Sequence, residues 1–184
     1  MKVGVYLDSY RPEDGGGYRL QADVFRSLSK LAAGSGHEFT VISSPNQQSA
    51  TAAKQAGFGW VPYQGQGLLE KISAFLTRSF PSLRKRINAR SSFERKARAA
   101  GIEFLWFLSP RPMEVDLPYL TTVWDLQHRK QPWFPEVSER AEWDTRERRI
   151  PPFLRRAAGI IAGTEAGKAE IVNFFQIPEA RIHI

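Results

Sequence analysis

Trp124, Asp125, His128 and Arg129 lie within one short segment, immediately after the apolar, β-branched run Leu120-Thr121-Thr122-Val123. An indole face beside a carboxylate, an imidazole and a guanidinium can stack on a sugar ring and hydrogen-bond its hydroxyls. A lone loop histidine is usually structural. Here it is grouped with an acid and two cations, Arg129 and Lys130, just past the C-terminal end of an expected strand. In open α/β sheets that is where ligands bind. Metal chemistry is not expected: the histidines are His37, His128 and His183, none is paired at ligand spacing, and there is no cysteine. His37 and His183 fall in strand positions and read as structural. Gly-x-Ser-x-Gly is absent, and no Ser/His/Asp triad assembles.

The second candidate is Asp14-Gly15-Gly16-Gly17-Tyr18-Arg19. Between a first strand and a first helix, side-chain-free backbone amides suit phosphate or sugar oxygens. A turn needing positive φ is the simpler explanation, and three consecutive glycines exceed that need. The dinucleotide fingerprint fails because Leu20 stands where its third glycine belongs, and no Gly-Lys-Ser/Thr follows to make a P-loop.

The third is charge. The net charge is +7. Between Arg78 and Arg98 lie Arg78, Arg84, Lys85, Arg86, Arg90, Arg95, Lys96 and Arg98, opposed by Glu94 alone. That segment carries the whole excess, the remainder balancing at 18 basic against 18 acidic residues. It reads either as a solvated helix face or as a patch for an anionic membrane surface or nucleic acid. Its aromatics are not interleaved with the cations as a stacking platform requires, so nucleic acid is not expected. The arginines Arg146, Arg148, Arg149, Arg155 and Arg156 alternate with Glu139, Glu142, Asp144 and Glu147, the pattern of a salt-bridged solvated helix.

The elements that would position these residues follow from periodicity. Strands are expected at Lys2–Asp8, His37–Ser43, Phe58–Tyr63, Glu103–Leu108, Pro118–Trp124, Gly159–Gly163 and from Arg181 on. Helices are expected at Tyr18–Ala33, Gln47–Gln55, Gln66–Phe80, Ser82–Ala100, Ser138–Ala157 (kinked or split by Pro151-Pro152) and Thr164–Phe175, the last capped by Thr164. Alternating strands and helices over 184 residues, with 42% hydrophobic and 24% charged residues, predict one Rossmann-like, doubly wound α/β domain (1–184) with a mainly parallel sheet. The opening residues lack a signal peptide's pattern and no run has the length of a membrane span, so a cytoplasmic protein is expected.

Four segments together resemble the N-terminal domain of the "group 1" (family 4-like) retaining glycosyltransferases of GT-B fold. They are the loop Gly15–Gly17; Leu28 through Val41 with Gly36-His37-Glu38-Phe39-Thr40-Val41; Thr122-Val123-Trp124-Asp125-Leu126-Gln127-His128; and Arg156-Ala157-Ala158-Gly159-Ile160-Ile161-Ala162-Gly163-Thr164-Glu165. The resemblance implies one half of a GT-B fold and a nucleotide-sugar as substrate, with no cofactor and no metal. Trp124, Asp125, His128 and Arg129 would lie on the acceptor side of the cleft, and Gly15, Gly16 and Gly17 near the donor phosphates. Many members carry His where this chain has Trp124, and Trp-Asp resembles the subset linked to bacterial surface polysaccharides.

The family's donor-binding domain would lie beyond Ile184, so the chain is expected to need that partner domain and to be inactive alone, with no catalytic residue assigned within it. Its acceptor would be a saccharide or lipid-linked saccharide, and Arg84, Lys85, Arg86, Arg90, Arg95, Lys96 and Arg98 would hold it peripherally on an anionic membrane. The alternative is a non-catalytic Rossmann-like module binding a nucleotide, saccharide or other anionic partner.

Overall fold

The computed structural model describes residues 1–14, 16–64, 91–109, 113 and 115–184. Gly15, Arg84, Lys85, Arg86 and Arg90 lie outside the described residues, as do the expected helix at Gln66–Phe80 and most of that at Ser82–Ala100. The strands are β1 (Lys2–Tyr6), β2 (Glu38–Ser43), β3 (Gly59–Pro62), β4 (Phe104–Phe107), β5 (Tyr119–Val123), β6 (Gly159–Ala162) and β7 (Ile182–His183). Their order in the sheet is β3-β2-β1-β4-β5-β6-β7. The described α-helices are α1 (Gly16–Leu31), α2 (Gln47–Gln55), α3 (Ser92–Ala99), α4 (Gln127–Lys130), α5 (Pro135–Ser138), α6 (Glu142–Arg156) and α7 (Glu165–Phe175). This is a Rossmann-like α/β fold, the class expected from the sequence. No helix among the described residues is long and apolar enough to cross a membrane.

The chain divides into two compact units, Met1–Leu105 with Val115–Leu117, and Trp106–Glu114 with Pro118–Ile184. In the first, β1 pairs in parallel with β2 and β2 with β3. The apolar runs of β1 and β2 are buried along nearly their whole length, as strands covered on both faces must be. Phe58 packs against Phe25 and Phe39 with centroids 5.8 and 5.3 Å away, and Phe93 meets Tyr6 and Tyr63 edge-on.

The backbone leaving β1 is pinned by buried polar groups. Gln21 accepts from the Asp8 N–H at 3.3 Å and donates to the Ser9 carbonyl at 3.0 Å. Asn46 donates to the Ser9 hydroxyl at 2.8 Å, and the Ser49 hydroxyl accepts from the Tyr10 N–H at 3.0 Å. α1 begins at Gly16, earlier than expected, because Gly16 adopts φ +50° and turns the chain into the helix.

In the second unit β5 pairs in parallel with β6 and β6 with β7. Tyr119 stacks on Phe153 at 4.7 Å, and Phe107 meets both rings edge-on. The Tyr119 hydroxyl donates to the Phe153 carbonyl at 2.6 Å, and burial pushes the phenol up to about 12. Of the two expected effects of Pro151-Pro152, a kink or a split, the split does not occur: α6 is continuous from Glu142 to Arg156 with both prolines inside. The prolines remove two internal helix bonds. Burial of Phe153 and Leu154 offsets the loss, and the Arg181 guanidinium donates to the carbonyls of Leu154, Arg155 and Ala157 at the helix end. α7 is capped as expected, the Thr164 hydroxyl accepting from the Gly167 N–H at 3.0 Å.

Gly4 in β1 is demanded by packing. A Cβ there would sit 2.9 Å from two carbons of Ile102 and 3.0 Å from Leu105. Gly4→Ala is expected to cost about 1–3 kcal/mol of stability by overpacking. Urea denaturation checks this; an unchanged midpoint would mean that Ile102 and Leu105 can move aside freely.

Candidate functional site

β5 is a buried, β-branched strand, and its hydrophobic pattern ends at Val123. The next residue that packs inward is Leu126, which is 1% exposed, so the chain between them is held outward. Trp124 there is 37% exposed. The Asp125 carboxylate accepts from the Gln127 N–H at 3.0 Å and so starts α4. Asp125 stays open to solvent, 4.0 Å from the Arg146 guanidinium.

Trp124, Asp125, Gln127 and Lys130 line one wall of a groove of about 200 Å³, and Thr164, Gly167 and Glu170 at the start of α7 line the other. The Lys130 ammonium donates to the Glu170 carboxylate at 2.8 Å. The arrangement is an aromatic face flanked by carboxylates, an amide, a hydroxyl and an ammonium. Hydroxyl-rich rings are recognised by that chemistry. Among the described residues no cluster of three or more histidine or acidic side chains is placed to hold a metal ion.

His128 and Arg129 sit in the same segment but do not line the groove. His128 is 0% exposed, with Nε2 3.0 Å from a Glu147 carboxylate oxygen at ion-pair distance but without hydrogen-bond geometry. Burial holds its imidazole below the usual histidine range; Glu147 partly opposes this, while Arg146 and Arg129 add to it. Arg129 grips both oxygens of Glu147, at 2.6 and 2.5 Å, donates to the Phe174 carbonyl at 2.9 Å, and lies 4.5 Å over the Phe175 ring. The Arg129 hydrogen bonds hold the Glu147 carboxyl below the usual carboxylate range. Glu147 therefore departs from the solvated helix face expected of it: it turns toward α4 and fastens it.

Of the expected basic patch, Arg95, Lys96 and Arg98 are described, all exposed on α3. Lys96 donates to the Pro62 carbonyl at 2.8 Å, and Arg98 donates to the buried Glu94 carboxylate at 2.7 Å. The other Glu94 oxygen accepts from the Asp116 N–H at 3.0 Å. Of the glycine loop, Gly16 has nothing within 4 Å of where a Cβ would be, so its positive φ by itself explains the glycine. Lys130 was grouped with His128 and Arg129 in the sequence, but its partner Glu170 was not singled out. They are 40 positions apart, and no local spacing connects them.

The buried imidazole has a consequence for stability. Because the folded state holds His128 neutral, the unfolded chain takes up a proton near the ordinary value of 6.5 that the folded chain resists. Stability is therefore full above that value and declines as pH falls through it toward the depressed folded value. Urea titrations from pH 7.5 to 5.5 should show this decline, by at most about 1.4 kcal/mol per pH unit, and His128→Leu should flatten it. A slope unchanged in that variant would assign the pH dependence to another group.

No family model matches the chain, and no curated protein matches it. Solved structures do. Anabaena HepE in complex with UDP aligns with a TM-score of 0.53 at 11% identity, covering 100% of this chain and 43% of its own. The UDP-GlcNAc 2-epimerase of Methanocaldococcus jannaschii aligns with a TM-score of 0.52 at 13% identity, covering 100% of this chain and 45% of its own. The HepE complex with UDP and glucose gives 0.50 at 12% identity and covers 43% of that chain. The present chain thus spans less than half the length of these three structures. Identity this low carries the fold alone, a Rossmann-like α/β domain that matches less than half of each of these chains.

Proposed function

We propose that the chain is the acceptor-side domain of a nucleotide-sugar-dependent, retaining glycosyltransferase of cell-envelope or surface polysaccharide assembly. The observation that carries this reading is the groove past β5, where the exposed Trp124 indole stands beside Asp125 and across from Glu170. An indole ring beside hydroxyl acceptors suits a pyranose, whose apolar face stacks while its edge hydrogen-bonds. Structures of the same fold hold UDP, and UDP with glucose, which supports a nucleotide-sugar setting.

In this reading a sugar passes from a nucleoside diphosphate to an acceptor hydroxyl presented at the groove. Charge growing on the leaving diphosphate needs backbone amides and cations. Gly16 and Gly17 would offer amides at the start of α1, with Gly15 preceding them in the sequence, and a second, nucleotide-sugar-binding domain would supply the rest. The chain's own residues need no resident metal or cofactor for this role. His128 and Arg129 act here by holding α4 in place beneath Gln127 and Lys130. A second reading has support from the epimerase of like fold: rearrangement of a UDP-sugar without an acceptor.

Calorimetric titration of the 184-residue chain with methyl glycosides and with UDP tests the assignment. Glycoside binding is expected, weakened roughly threefold to tenfold in Trp124→Ala. UDP binding is expected to be far weaker than in a complete enzyme, and no sugar transfer is expected from this chain alone. Tight UDP binding with no glycoside binding would reverse the assignment, and transfer by the chain alone would remove the need for a partner domain.

The basic segment supplies the membrane part of the proposal. Replacing Arg84, Lys85, Arg86 and Arg90 with Gln should abolish co-sedimentation with anionic liposomes, and the wild-type binding should weaken with salt. Binding that is indifferent to salt would count against an electrostatic anchor.

A further inference from the structure

The charges around the groove are unequal, and their imbalance restricts what it can hold. Asp125 and Glu170 each bring a carboxylate, and Lys130 brings the cation, leaving an excess of one negative charge. Glu165, in the first turn of α7, adds a further acid on that side. Arg146 lies 4.0 Å from Asp125 but donates at 2.7 Å to Glu142, so its charge is shared. The α7 N-terminus attracts negative charge. Thr164 already accepts its Gly167 N–H, and Glu165 offsets the dipole.

We propose that this groove selects an uncharged glycoside over its carboxylate-bearing counterpart, and that Glu170 together with Asp125 sets the choice. The proposal rests on the reading of the groove as a saccharide site. A carboxylate accepts from two hydroxyls at once, so Asp125 and Glu170 on opposite walls can each hold a diol edge while Trp124 covers the ring face. Glu170 accepts one hydrogen bond from the Lys130 ammonium, which has three N–H donors, so Lys130 can also donate to a ring or hydroxyl oxygen. An added carboxylate or phosphate on the sugar would meet Asp125 or Glu170 at close range. At such separations in a partly solvated groove, like-charge repulsion weakens binding roughly fivefold or more.

The test compares methyl β-D-glucopyranoside with methyl β-D-glucuronide, which share a ring and differ by one carboxylate, using saturation-transfer NMR on the whole chain. The wild-type protein should bind the neutral glycoside at least roughly fivefold more tightly. Glu170→Gln and Asp125→Asn should each narrow that ratio, and the double variant should erase or invert it. Both substitutions preserve side-chain shape, and Asp125→Asn keeps an oxygen that can accept from the Gln127 N–H. Equal binding of the two probes by the wild-type chain, or a ratio unmoved by the double variant, overturns the selectivity proposal while leaving the saccharide site standing. Failure of both probes to bind, or binding untouched by Trp124→Ala, overturns the saccharide reading and the proposal with it.

Discussion

The Glu147 carboxylate is the group on which the geometry past β5 depends. It receives both Arg129 hydrogen bonds and sits at ion-pair distance from the buried His128 ring, so α6 and α4 are joined through one side chain. α4 is a single turn, too short to persist by its own backbone bonds. Asp125 starts it, Leu126 anchors it, and the Arg129–Glu147 pair holds it against the second unit's interior. Gln127 and Lys130 reach the groove only because the other residues of that turn are committed inward. The bidentate geometry and the stacking of Arg129 over Phe175 separate this pair from a surface ion pair, whose contribution is small.

The neutral state of His128 belongs to the same arrangement. A protonated imidazole would compete with Arg129 for Glu147, whereas a neutral one leaves the bidentate pair intact at the cost of unsatisfied ring nitrogens. The first unit handles the end of its own first strand differently. There Gln21 and Ser49, both uncharged, satisfy the backbone of Asp8 to Tyr10, and Asn46 holds the Ser9 hydroxyl. Two strand ends are made rigid by two chemistries, one neutral and one ionic, and only the ionic one is sensitive to pH.

Fold and function connect loosely here. A Rossmann-like fold is compatible with transferases, epimerases and simple binding modules, so the functional reading has to stand on the groove. Its lining is mixed, with one indole, two carboxylates, one ammonium and a hydroxyl. That inventory is poor for a diphosphate and good for a neutral polyol, which is why the acceptor role is preferred for this unit.

Much of the scaffold was legible in the chain. The apolar run of β1, the β-branched run of β5, the Gln47–Gln55 helix and the Thr164 cap follow from patterns confined to a few adjacent residues, and local backbone preference decides them. The exposure of Trp124 and Asp125 was legible in the same way, because an abrupt end to an apolar run marks the strand's edge. Tertiary structure alone decided that Pro151 and Pro152 stay within α6, since burial of Phe153 and Leu154 outweighs two lost helix bonds. It also decided that His128 is buried and Arg129 committed to Glu147, 18 positions away, and that Lys130 faces Glu170 across 40 positions. Ion pairs between distant residues depend on how helices dock on the sheet, and no spacing in the sequence encodes that docking.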